Sequence, residues 1–153
     1  MTEPKETKPK KRLTRPTTPK REAARKSARG SEASRADESR ALALRIATAA
    51  LEKKALAVEI LDVVGKVDYA DFLVVMTGRS NRHVDSLAQA IDEACAQKKQ
   101  RAISIEGLPA ADWVLIDFGD VVVHVFQEDA RGLYDIEGLW LDAKRLPVPG
   151  QNP

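Results

Sequence analysis

One cysteine, two histidines and no long apolar run limit what this 153-residue chain can do. Cys95 stands alone, so it forms no internal disulfide and builds no cysteine-based metal cluster, which suits a reducing cytoplasm. It falls on the apolar stripe of a helical pattern and reads as a buried, inert thiol. His83 and His124 are 41 positions apart and match no His-x-x-x-His spacing, so no metal or other cofactor is expected. No stretch approaches the roughly 18 apolar residues of a membrane span, and no apolar signal segment is seen.

Further absences weigh against catalysis. Gly78-Arg79-Ser80-Asn81-Arg82 lacks the second glycine of a Gly-x-Ser-x-Gly elbow, so Ser80, Asp117 and His124 make a poor hydrolase triad. Asp117 and Asp120 flank a turn, with Asp120 inside it, and do not supply the paired acids that magnesium-dependent nucleotide transfer needs. A nucleotide-binding enzyme using the Gly78–Ser80 turn, Asp117 and His124 is therefore the rival reading, and a binding module the leading one.

The net charge of +2 is unevenly spread. Residues 1–40 hold 13 Lys and Arg against 6 Asp and Glu, whereas residues 41–153 hold 12 against 17. The first segment has Leu13 as its only large aliphatic residue after Met1, so residues 1–38 are expected to be a disordered basic tail. Its basic clusters, Lys10-Lys11-Arg12 and Lys20-Arg21, are candidates for non-specific contact with RNA phosphates. Pro4, Pro9, Pro16 and Pro19, with Glu3 and Glu6, argue against the amphipathic helix of a mitochondrial transit peptide.

Residues 39–146 read as one α/β domain, with 147–153 a C-terminal tail opened by Pro147 and Pro149. Leu42, Ile46, Ala49, Ala50 and Lys53 follow helical spacing, with Ser39 as the expected N-cap. Strands are expected at 58–64, 71–77 and 101–105, the second an unbroken apolar run that suits a strand buried on both faces. A second helix carries Val84, Leu87, Ala88, Ile91, Ala94 and Cys95 on one stripe, capped by Ser80 and ending near Lys98-Lys99. The glycine turn before it could offer amides to an anion beside Arg79 or Arg82, but reads first as an ordinary strand-to-helix connection.

The stretch from Trp113 to Phe126 is two alternating runs joined by Gly119-Asp120, the pattern of a hairpin with a type II′ turn. That turn pairs Trp113 with Phe126, Leu115 with His124 and Asp117 with Val122. One face then collects Val114, Ile116, Phe118, Val121, Val123 and Val125, the expected core side. The other collects Trp113, Leu115, Asp117, Val122, His124 and Phe126, which is either an outward partner-binding patch or a covered face in which Asp117 and His124 satisfy each other. Five of the seven aromatic residues, Tyr134 and Trp140 among them, lie between 113 and 140, which marks that region as functional.

Several segments carry a family resemblance. Ile60-Leu61-Asp62-Val63, Asp71-Phe72-Leu73-Val74-Val75, Thr77-Gly78-Arg79-Ser80, Glu106-Gly107, the Trp113–Phe126 hairpin, Arg131 and Tyr134-Asp135-Ile136-Glu137-Gly138-Leu139-Trp140 together resemble the ribosomal silencing factor (RsfS, or Iojap) family over about residues 41–145. The resemblance implies a nucleotidyltransferase-like fold, a mixed sheet of about five strands flanked by helices, without that catalysis. It implies binding to the large ribosomal subunit at its protein number fourteen and a steric block to small-subunit joining, which lowers translation when nutrients run short. A role in large-subunit assembly, as in organellar relatives, is the alternative. The implied binding surface maps onto Trp113, Leu115, Asp117 and His124, with Tyr134 and Trp140 close by, and whether free copies pair through the same patch stays open. Two positions depart from the family pattern: Ala57 replaces the usual acidic residue and Gly138 a commonly basic one.

Overall fold

The computed structural model describes residues 32–135, 138 and 142–150. Its first element, α1 (Glu32–Glu52), starts seven residues before the expected cap at Ser39. Ser39 is an interior helical residue, and its hydroxyl donates to Asp71 Oδ2 at 3.1 Å within the core. Residues 32–38, expected in the tail, thus belong to the helix, where Arg35 reaches Asp120 at 3.9 Å.

Strands β1 (Leu56–Asp62) and β2 (Phe72–Gly78) follow, then α2 (Asn81–Ala96) and the three-residue β3 (Ser104–Glu106). The hairpin is β4 (Trp113–Asp117) and β5 (Val121–Gln127), followed by α3 (Glu128–Tyr134) and β6 (Lys144–Leu146). Among the described residues the sheet is six-stranded, ordered β3-β4-β5-β2-β1-β6, one strand more than expected. Only β2 and β5 pair in parallel, which requires a crossover, and α2 provides it. All seven residues of β2 are buried, as the unbroken apolar run anticipated for a strand covered on both faces.

Hairpin register matches the expectation residue for residue: Trp113 opposes Phe126, Leu115 opposes His124 and Asp117 opposes Val122. Gly119 adopts a φ of 99°, open to glycine at no steric cost, and Phe118 N–H closes the turn on Val121 O at 2.9 Å. One face of the sheet packs under α1 and α2, where Val114, Ile116, Val121, Val123 and Val125 meet Ile46, Val84, Leu87 and Ile91.

The other face requires a correction. Leu115, Asp117, Val122, His124 and Phe126 are buried and Trp113 is half-buried, so this side is no outward docking surface. Leu115, Val122 and Phe126 join a second core with Leu61, Leu73 and Val75 of the neighbouring strands. The cover comes from Val63, Val67, Tyr69 and Ala70 of the β1–β2 connection, Ala130 of α3 and Ala143. These elements turn a two-layer sheet into a three-layer domain.

Candidate functional site

Trp113 is the one member of the mixed face that keeps access to solvent, and the chain around it is tightly placed. Gly107, at φ 106°, lies so close to the Trp113 carbonyl that any Cβ would collide with it. The Glu106-Gly107 pair thus lets the 107–112 loop fold against the start of β4. Asn81, the first residue of α2, donates from Nδ2 to Ala110 O at 2.8 Å and to Asp112 Oδ1 at 2.7 Å. Gln127 N–H donates to Asp112 O at 2.8 Å, tying the end of β5 to the same loop.

Below this rim three rings pack together. Trp113 and Phe126, directly opposite across the hairpin, stack with centroids 5.2 Å apart and planes 26° from parallel. His124 stacks on Phe126 with centroids at 6.1 Å and planes within 10°, and its centroid lies 5.9 Å from that of Trp113. The indole Nε1–H donates to His124 Nδ1 at 3.1 Å. Since an indole nitrogen only donates, Nδ1 is the bare acceptor nitrogen and the proton of the neutral ring is on Nε2. Burial pushes the His124 pKa down from 6.5 to about 4, which keeps the ring uncharged at neutral pH.

Other expected site residues are placed differently. Asp117 does not pair with His124: its Oδ1 accepts Gly119 N–H at 2.8 Å, which braces the hairpin turn. Ser80 caps α2, accepting His83 N–H at 3.1 Å, while Asp117 opposes Val122 at the other end of the hairpin. Ser80 follows β2, whose last residue pairs with Gln127, five positions along β5 from Val122. At about 3.3 Å per residue the would-be nucleophile and acid are roughly 16 Å apart along the strand, so no triad forms. The glycine turn is no open anion cradle either, because its Arg79 N–H donates to His83 Nδ1 at 2.9 Å. Val84 N–H bonds Ser80 O at 2.9 Å, and His83 Nε2 donates to the Lys53 carbonyl at 2.7 Å, joining the end of α1 to the start of α2.

Arg131, quoted above only for its resemblance, is the latch of α3. Its guanidinium donates to Ala57 O at 2.6 Å and Thr77 Oγ1 at 2.8 Å, and lies 3.7 Å from Glu59, which Arg145 also engages at 2.9 Å. Ala57 sits in a bulge of β1 at φ 50°, its side chain exposed, so this departure from the family pattern leaves the carbonyl that Arg131 uses intact. Cys95 is buried and burial pushes its thiol up to about 11, an unreactive state. Among the described residues no group of three or more His, Cys, Asp or Glu could hold a metal ion, and no helix is long and apolar enough to cross a membrane. Trp140 and the tail residues Lys10, Lys11, Arg12, Lys20 and Arg21 lie outside the described residues, as does the side chain of Tyr134.

A family model described as ribosomal silencing factor during starvation (RsfS) matches residues 36–153. A Zymomonas mobilis protein named ribosomal silencing factor RsfS is 38% identical over 98 residues, which cover 63% of this chain and 74% of that protein. The Bacillus subtilis protein of the same name is 40% identical over 101 residues, 65% of this chain and 86% of its own. A crystal structure of a Chromobacterium violaceum protein aligns with a TM-score of 0.66 at 31% identity, covering 75% of this chain and 89% of the other.

Proposed function

Because the chain belongs to the ribosomal silencing factor RsfS family, we propose that it binds the large ribosomal subunit at protein number fourteen and sterically blocks joining of the small subunit, lowering translation when nutrients are scarce. No bond is made or broken in this reading. The observation that supports it best is the setting of Trp113: an aromatic side chain, half-buried, stacked on Phe126 and hydrogen-bonded through its only polar atom. Such a ring loses little entropy on docking because its orientation is fixed beforehand, which is what an anchor at the centre of an interface requires.

The buried members of the face act here as the bed under that anchor. Leu115, Val122 and Phe126 support the indole from within, and Asp117 holds the turn, so their truncation acts on binding through the fold. Tyr134 and Trp140 remain in the proposal as neighbouring contacts. The basic clusters Lys10-Lys11-Arg12 and Lys20-Arg21 add a sequence-independent attraction to ribosomal RNA.

Co-sedimentation with large subunits tests the reading. Trp113→Ala, with its fold checked by thermal melting, should weaken binding by more than about 2 kcal/mol, roughly thirtyfold in Kd. Undiminished co-sedimentation of the folded variant rejects Trp113 as the anchor.

A further inference from the structure

His124 is a costly choice for the place it occupies. It is wholly buried in the second core beside Leu115 and Phe126, and among the described residues its Nε2 has no hydrogen-bond partner. An unpaired N–H in such surroundings is unfavourable, and a leucine or phenylalanine would fill the volume without that penalty. Packing therefore does not account for an imidazole here. The hydrogen bond this ring makes is the one it accepts from Trp113 Nε1–H, at 3.1 Å.

Register explains how the two meet. Residue 124 directly opposes Leu115, and Trp113 directly opposes Phe126, so Trp113 and His124 are diagonal neighbours on one sheet face. Diagonal backbone positions are about 7–8 Å apart, within reach of two ring side chains but not of a short one. The indole can sit on Phe126 in two orientations related by rotation about its Cβ–Cγ bond. An acceptor placed beneath one edge favours only the orientation that turns Nε1–H inward, leaving the carbon edge of the ring at the rim.

We propose that His124 is a positioning residue for docking, an uncharged acceptor that fixes which edge of Trp113 the protein presents to its ribosomal partner. This rests on the reading of Trp113 as the anchor. It also specifies the chemistry of the contact: the partner meets an apolar ring edge with no free indole donor, so its matching pocket is apolar and needs no acceptor for the indole.

The test uses the full chain with three substitutions. His124→Leu keeps the volume and removes the acceptor; His124→Asn places a carbonyl oxygen near the position of Nδ1; His124→Gln carries its acceptor further out. The indole 15N–1H resonance of Trp113 is assigned by its loss in Trp113→Phe, and hydrogen exchange at that group and affinity for large subunits are read in parallel. In His124→Leu and His124→Gln the resonance should move, indole exchange should quicken, and affinity should fall roughly tenfold, the equivalent of one hydrogen bond. His124→Asn should recover most of all three.

An indole resonance and exchange rate unchanged in His124→Leu overturn the proposal whatever the binding data show. If that variant fails to fold, the contrast between Asn and Gln decides, and equal behaviour of the two overturns it. Full affinity in His124→Leu with a displaced indole also overturns it. Full affinity in Trp113→Ala instead defeats the docking reading on which the proposal rests, so the two failures appear in different variants.

Discussion

His124 shows how one residue can serve a surface it never reaches. Its ring is neutral because burial lowers its pKa from 6.5 to about 4, while in the unfolded chain it titrates near its ordinary value. Between those pH values the unfolded state holds a proton that the native state does not, so stability rises with pH across this window and is lost as pH falls through it. At about 1.4 kcal/mol per pH unit the loss on going from pH 7 to pH 4 approaches 3 kcal/mol. Urea denaturation at both pH values should show a larger drop in the parent than in His124→Leu, and equal drops would contradict the assignment. Cys95 is another buried titratable group. With its thiol pushed up to about 11 and buried, it should resist iodoacetamide at pH 8 in the native protein and react once urea exposes it.

Among the elements, those with a strong period were the most legible. The alternation from Trp113 to Phe126 and the Gly119-Asp120 turn fixed the hairpin register, and the 3.6-residue stripe of Val84, Leu87, Ala88, Ile91 and Cys95 marked α2 with its Ser80 cap. Elements lacking a period were harder to read. Six side chains on one hairpin face announce nothing about a lid, and the residues that cover them, Val63, Tyr69, Ala70, Ala130 and Ala143, are scattered over three separate stretches. Burial of Asp117 and His124 was one of two readings of that face, and their mutual pairing was the wrong reason for it: Asp117 Oδ1 takes Gly119 N–H and His124 Nδ1 takes the Trp113 indole N–H instead. Ser39 misled for a related reason: a serine before a helical stripe resembles a cap, whereas here its hydroxyl is spent on Asp71. Three-residue β6 is simply too short to show alternation.

Arg131 fastens α3 to the sheet. Its bonds to Ala57 O and Thr77 Oγ1 tie α3 to β1 and β2, so Arg131→Ala should destabilise the domain by about 2 kcal/mol. Amide exchange in α3 should rise more than in β2 or β5 if the latch is what holds this helix down. A uniform rise across the sheet would show instead that α3 is integral to the whole core.

Under the proposed function, the acidic domain and the basic first segment contribute differently to binding. In that reading the domain offers shape and one aromatic anchor, while residues 1–31, with 11 Lys and Arg against 3 Asp and Glu, offer charge. Removing residues 1–31 should leave the domain's melting temperature unchanged and flatten the dependence of large-subunit affinity on salt, since each lost phosphate contact lowers the log–log slope by roughly 0.7–0.9. An unchanged slope rejects any RNA contact by this segment.

In the proposed function, the rim around Trp113 faces protein number fourteen of the large subunit. A photo-crosslinking residue at position 112, exposed and next in the chain to Trp113, reports on that rim. Position 89, exposed on α2, which packs on the opposite face of the sheet, serves as the control. Irradiation with purified large subunits should join position 112 to protein fourteen and leave position 89 unjoined to it. Capture of that protein from position 89 and not from 112 would place the docking surface on the helical side and contradict the account.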